Sequence, residues 1–299
     1  MLLIAGCLAI TGLAGAVLLP GPLSRIRTEH SPRIGIAMWL VAVGGVLIVW
    51  LAAALTALMA LAYPRLAAGA AVSHDGLSLL LHSALGVLAT VGITWLVIAA
   101  AWQFCRDRAA RKTHCQALRL VSSAAPRLGS NVVVVESPQR SAYSVAGRGG
   151  TIVVTSGMLK GLSHNEVQAV LTHEAAHLSG HHQTLLSVLS SLARAGAWLP
   201  LFPAALNAVS QLLEMRADDI AARSHGPGLL MTALVSMTAG PAFTMSAGGN
   251  GVLARAERLV APVSGRRRAF HAAAGLTGAA AAAAAPVVLG AALLTACGF

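Results

Sequence analysis

His173-Glu174-Ala175-Ala176-His177 is the stretch on which the whole chain turns. Upstream of it, Ser163 and Glu166 precede Val167, Val170 and Leu171, the S-x-x-E pattern of a capped helix start. A helix that begins at Ser163 runs through the motif. At 3.6 residues per turn it stacks His173 and His177 on one face. Two imidazoles so placed can both reach one zinc ion at roughly 2.0–2.1 Å. Glu174 then sits beside the metal without binding it, placed to take a proton from water and pass it to a leaving amine. This is the H-E-x-x-H pattern of metal-dependent peptide hydrolysis. A structural histidine on an amphipathic helix would account for one ring, but not for a matched pair with a glutamate between them.

A catalytic zinc keeps three protein ligands and one open position. Glu214 is the candidate third ligand, in a helical stretch reading Glu214-Met215-Arg216-Ala217-Asp218-Asp219. Asp218 lies one turn on, on the same face, where it can accept the outer N–H of a ligating histidine. Half of the chain's ten acidic residues fall in these two windows, which favours a site over a solvated patch. Asp219 reads as solvated, balanced by Arg216 and Arg223. His181 and His182 follow too closely on Gly180 for a metzincin-type third histidine, and read as helix-end residues. His225 is a candidate oxyanion stabiliser, with Arg223 and Tyr143 as alternatives.

The chain has 299 residues, 56% of them hydrophobic and only 10% charged, with a mean hydropathy of +0.73. Soluble domains carry about 25% charged residues, so this is a membrane-class chain. The net charge of +11 argues against nucleic-acid binding once its placement is considered. The basic residues flank apolar spans, as the positive-inside rule requires, and no aromatic-interleaved basic patch occurs. Four cysteines without a C-x-x-C pair support neither a thiolate metal site nor a redox motif.

Four segments are long and apolar enough to be predicted spans: Leu2 to Leu19, Ile34 to Tyr63, Leu77 to Phe104, and the Ala- and Gly-rich Ala272 to Phe299. The first lacks a basic n-region, so a retained span fits better than a signal peptide. Arg25, Arg27 and Arg33 mark the first loop as cytoplasmic. Arg106, Arg108, Arg111, Lys112 and Arg266 to Arg268 do the same for the region between spans three and four. The second loop, with Arg65 and Asp75, falls outside, as does the N-terminus. The expected fold is mainly α: a multi-span membrane protein with a cytoplasmic α+β zincin-type protease domain between spans three and four. Its divisions are a three-helix membrane region at 1–104, a peptidase domain at 105–270 and a final span at 271–299.

Within that domain, residues 131–135, 142–145 and 151–155 read as strands, with a glycine-rich turn at 147–150. Strand 142–145 or 151–155 could pair with an extended substrate. Leu185 to Leu213 carries one charge, Arg194, and is broken by Pro200 and Pro203. It reads either as a membrane-lying hairpin over the active site or as domain core.

His173 to His177, Glu214-x-x-Ala217-Asp218 and the span layout resemble the BlaR/MecR-type membrane metallopeptidases, and the HtpX/CAAX-endoprotease family of gluzincins shares the motif pair. The resemblance implies one Zn2+ on His173, His177 and Glu214, Glu174 as base, a protein substrate, and a bacterial plasma membrane. It also implies regulatory cleavage of a cytoplasmic repressor or, on the HtpX pattern, quality control of membrane proteins. The sequence ends at Phe299 without the extracellular sensor of the BlaR/MecR type, so antibiotic sensing by that route is not expected. A catalytically idle zinc-stabilised scaffold is the alternative of another class; the intact Glu174 argues against it.

Overall fold

A computed structural model describes residues 2–62, 76–147, 150–238, 249–260 and 265–296. Arg65 and Asp75 of the second loop, Arg148 and Gly149 of the glycine-rich turn, and Cys297 to Phe299 lie outside them. The chain divides into two compact units. Met1–Gln103, Leu189–Val209 and Ala269–Phe299 form the first; Phe104–Val188 and Ser210–Arg268 form the second.

The first unit is helical: α1 (Leu2–Leu18), α2 (Pro20–Arg25), α3 (Pro32–Ala62), the early part of α4 (Gly76–Val121) and most of a C-terminal helix, Gly265–Ala296. Three stretches, Ile4–Arg25, Pro32–Ala60 and Gly86–Leu118, are long and apolar enough to cross a bilayer. Ile48, Leu51, Leu55, Val91, Trp95 and Ile98 face outward, an apolar exterior suited to lipid. Helices α1 and α3 meet through Gly12. A Cβ there would stand 2.3 Å from the Trp50 indole, and that indole donates to the Ala9 carbonyl at 3.3 Å. Close approach through a small residue is how helices gain packing energy in lipid.

The predicted fourth span forms a helix, whose apolar stretch among the described residues is Ala269–Ala284. Its small residues let neighbouring helices come close. Gly275 lies against Ile34 and Thr28, and Gly278 against Ile26 and Met38. Leu189–Val209, the middle of the charge-poor segment, joins this unit too. Its turn packs Phe202 edge-on to Trp50, with ring centroids 6.4 Å apart. Gly196 leaves room for Phe202 and Leu96.

The second unit is built on a four-stranded sheet, β1 (Ser122–Ala124), β2 (Val132–Val135), β3 (Ala142–Val145) and β4 (Thr151–Thr155), in the order β1-β2-β4-β3. β2 and β4 are parallel, with Val133 opposite Val153; β3 is antiparallel to β4, with Ser144 opposite Ile152. β4 is therefore paired on both sides and cannot accept a substrate strand, whereas β3, like β1 at the other side, is an edge. Gly150, at φ +59, closes the β3–β4 loop in a conformation that favours glycine.

The period-2 alternation of β4 splits its side chains between two cores. Ile152 and Val154 pack with Val167, Val170 and Leu171, while Val153 packs with Val145 and Leu118. The first group places helix α6 (His164–Ser179) against the sheet. It follows α5 (Ser156–Gly161) and opens on the expected capping box: Ser163 Oγ accepts from Glu166 N, and Glu166 accepts from Ser163 N at 2.8 Å. Then come α7 (His182–Ala195), α8 (Leu201–His225), α9 (Pro227–Thr238), α10 (Gly249–Val260) and the C-terminal α11 (Gly265–Ala296).

Candidate active site

Helix α6 carries His173 and His177 on one face, and α8 carries Glu214 to meet them. His173 Nε2 and His177 Nε2 are 3.1 Å apart. Glu214 offers Oε2 at 3.5 Å from the first nitrogen and Oε1 at 3.4 Å from the second. All three ligating atoms lie within 4.8 Å of one another. Donors held about 2.1 Å from one tetrahedral centre stand roughly 3.4 Å apart, so the spacing suits a zinc ion. So does the chemistry, with two imidazoles and one carboxylate. The cluster also favours a positive centre, because Glu214 and Asp218 flank the rings with one guanidinium, Arg255, against them.

Asp218, one turn along α8, is fully buried. Its Oδ1 lies 3.1 Å from His173 Nδ1, and its two oxygens accept from Arg255 Nε at 2.7 Å and Nη2 at 2.8 Å. Arg255 Nη1 also reaches Glu214 Oε2 at 3.1 Å. Asp219 pairs with Arg258 at 2.6 Å; it is not the solvated acid that the sequence suggested. Arg255 and Arg258 come from α10, whose sequence shows only an amphipathic basic helix. Nothing in that pattern names partners so far away along the chain.

Glu174 lies near the β3 edge, where the Ser144 hydroxyl and backbone N–H favour its charged form against burial. Beside it, Gln183 on α7 bridges the same edge: Ala146 N donates to Oε1 at 2.6 Å, and Nε2 donates to the Ser144 carbonyl. His182 is buried with Nδ1 2.8 Å from His177 Nδ1. His225 closes α8 with Nε2 2.8 Å from Thr172 Oγ1. That hydroxyl donates to the Gln168 carbonyl, so it accepts from His225. Tyr143 stands on β3, its ring centroid 6.1 Å from that of His114.

These environments set the charge states. Burial would lower the His173 pKa, but the hydrogen bonds and charges of Asp218 and Glu214 outweigh it and raise it to about 9. Burial holds His177 below the usual imidazole value. Burial, with His177 alongside, takes His182 down to about 4. Burial pushes against ionisation of Glu214, yet His173 and Arg255 keep it below the ordinary carboxylate value. Asp218 is held at about 2, because Arg255 and His173 overcome its burial. Glu174 goes the other way: burial raises it above the ordinary carboxylate value.

An H-E-x-x-H helix joined by a glutamate from a later helix defines a zinc metallopeptidase site. Residues 107–246 match Peptidase family M48, so the chain carries an M48 peptidase domain, and the His173, His177 and Glu214 cluster is its metal site. No solved structure matches the chain. Arg255 lies beyond the matched residues.

Proposed function

We propose that the protein is an integral-membrane zinc endopeptidase. Its domain between the third and fourth spans faces the cytoplasm and cuts protein segments at or near the bilayer. The convergence of His173, His177 and Glu214 beside a Ser144-anchored Glu174 carries this reading. Zinc held by the three ligands would polarise the scissile carbonyl and make water a nucleophile near neutral pH. Glu174 acts as general base, then delivers its proton to the departing amine; its raised pKa suits both steps. Asp218 steers His173 through the ring's outer nitrogen. His225, held through Nε2 on Thr172, is the candidate oxyanion stabiliser; with its Nε2 proton given to Thr172, it donates from Nδ1 only as the imidazolium. The edge of β3, once Gln183 gives way, accepts the substrate in extended form.

The packing of Leu189–Val209 among the spans supports a membrane-associated substrate over a freely soluble one. Helix α8 contains both part of that segment and Glu214 itself. Positive flanks on the first loop and around the domain support the cytoplasmic orientation, and α11 serves as the fourth span. Regulatory cleavage of a cytoplasmic repressor is the second reading; the order of three spans, protease and one span favours it.

The test uses full-length protein in detergent, with an unfolded membrane protein and a soluble repressor-like protein as substrates. Glu174→Gln should retain one zinc per chain while cleavage falls by about 10²–10⁴-fold, and His177→Ala should lose the zinc. Cleavage that survives Glu174→Gln would refute the mechanism; selective cleavage of the soluble substrate would favour the second reading.

A further inference from the structure

His182 is the buried histidine that the metal set leaves over. It opens α7 at 1% exposure, and its ring meets that of His177 edge to face, centroids 4.8 Å apart and planes at 86°. The two Nδ1 atoms are 2.8 Å apart. His177 turns its other nitrogen, Nε2, toward His173 and Glu214.

The turn that delivers His182 accepts two local disadvantages to do so. His181 adopts φ 52, in the left-handed region that a residue with a side chain rarely occupies. Gly180 must lack a side chain, because a Cβ would stand 2.3 Å from His182 Nε2. Strained backbone of this kind persists where the surroundings fix it, and it clusters at functional sites.

At 2.8 Å, one of two facing ring nitrogens must donate and the other accept. An imidazole that ligates through Nε2 is neutral and carries its proton on Nδ1. His177 therefore donates, and His182 accepts with its own proton on Nε2. We infer that His182 is a positioning residue for the metal centre: it accepts the Nδ1–H of His177 and so fixes the tautomer and ring plane that aim Nε2 at the ligand cluster. This rests on His177 being a ligand, as proposed above. The two ligand histidines then have unlike supports. His173 has the charged Asp218 behind it, while His177 has a neutral ring that supplies direction without charge. A neutral acceptor at position 182 should therefore suffice.

The test is zinc affinity of the full-length protein in detergent, stripped of metal and titrated against a chromogenic chelator. His182→Phe keeps the bulk but removes the acceptor, and should bind zinc about 10–100-fold more weakly. His182→Asn keeps an acceptor oxygen and should recover most of that loss. Wild-type affinity in His182→Phe, or an Asn variant as weak as the Phe variant, overturns the inference. A wild-type chain that binds no zinc overturns the ligand assignment as well, so the two failures are distinct. Should His182→Phe fail to fold, the unmodified protein loaded with cobalt(II) decides. The shifted N–H resonance of His177 should exchange as slowly as that of His173, and fast exchange overturns the inference.

Discussion

Removing Arg255 isolates the energetics of the site from its chemistry. Its guanidinium grips both oxygens of Asp218 at 2.7 and 2.8 Å and touches Glu214 at 3.1 Å. The Asp218 side chain is 1% exposed and that of Arg255 is 13% exposed, so this pair is nearly unscreened. Glu214 is 39% exposed, and its contact adds little after solvent screening. Breaking a buried pair from one side costs about 3–5 kcal/mol, because a charge is stranded. Asp218 keeps His173 as a partner, which points to the lower end, about 3 kcal/mol. For a unit of this size that is a fall in Tm of roughly 6–12 °C.

The assay is thermal unfolding of metal-free protein in detergent, followed by labelling of Cys115 in a background with Cys7, Cys105 and Cys297 each replaced by Ser. Cys115 packs partly buried against the sheet, so its thiol reports on the second unit. Arg255→Ala should show the full drop. Arg255→Lys should recover only part of it, since an ammonium cannot match the two-pronged grip. If the cost is that of a stranded carboxylate, Arg255→Ala combined with Asp218→Asn should unfold later than Arg255→Ala alone. Additive losses, or a drop of less than about 2 °C in Arg255→Ala, would show that the pair contributes no such stability.

Two further outcomes are expected. In metal-free protein, His173 titrates at about 9 in place of 6.5, so its contribution is complete below pH 6.5 and vanishes as pH rises through 9. Asp218, lowered from 3.8 to about 2, contributes above pH 3.8 and loses that contribution as pH falls through 2. The metal-free fold should therefore be most stable between these limits, and zinc binding at pH 7.5 should release about one proton as it displaces the His173 proton; calorimetry in buffers of different ionisation heat counts it, and no release contradicts the assignment. Gln183→Ala uncovers the β3 edge that a substrate strand must occupy, and should lower KM by roughly tenfold, from two hydrogen bonds of about 0.5–1.5 kcal/mol each; a raised KM would instead make Gln183 a brace for β3.

The site was legible where its grammar is local. Ser163 and Glu166 announce the helix, His173 and His177 share a face because the period is fixed, and Glu214 and Asp218 repeat that spacing on a second helix. Arg255 was not legible, because a basic residue on an amphipathic helix has the same pattern whether it meets water or a buried carboxylate. Nor was the role of His182, since the turn at Gly180 and His181 breaks the periodicity that would have placed it. The strands at 142–145 and 151–155 are both candidates for substrate pairing in the sequence, and only the non-sequential order β1-β2-β4-β3 shows that the first is an edge and the second is central. Low charge marks Leu185 to Leu213 without locating it; packing of Phe202 on Trp50 places its middle part among the spans.

The bridge that Gln183 throws across the outer rim of β3 matters beyond substrate handling. An uncovered strand rim is a template for zippering with the next copy of the same chain, and membrane confinement raises the rate of such encounters. Here the Ser144 carbonyl and the Ala146 N–H are already taken by a side chain of the same molecule, so this rim offers a colliding neighbour a ladder whose outward groups are in part already spent.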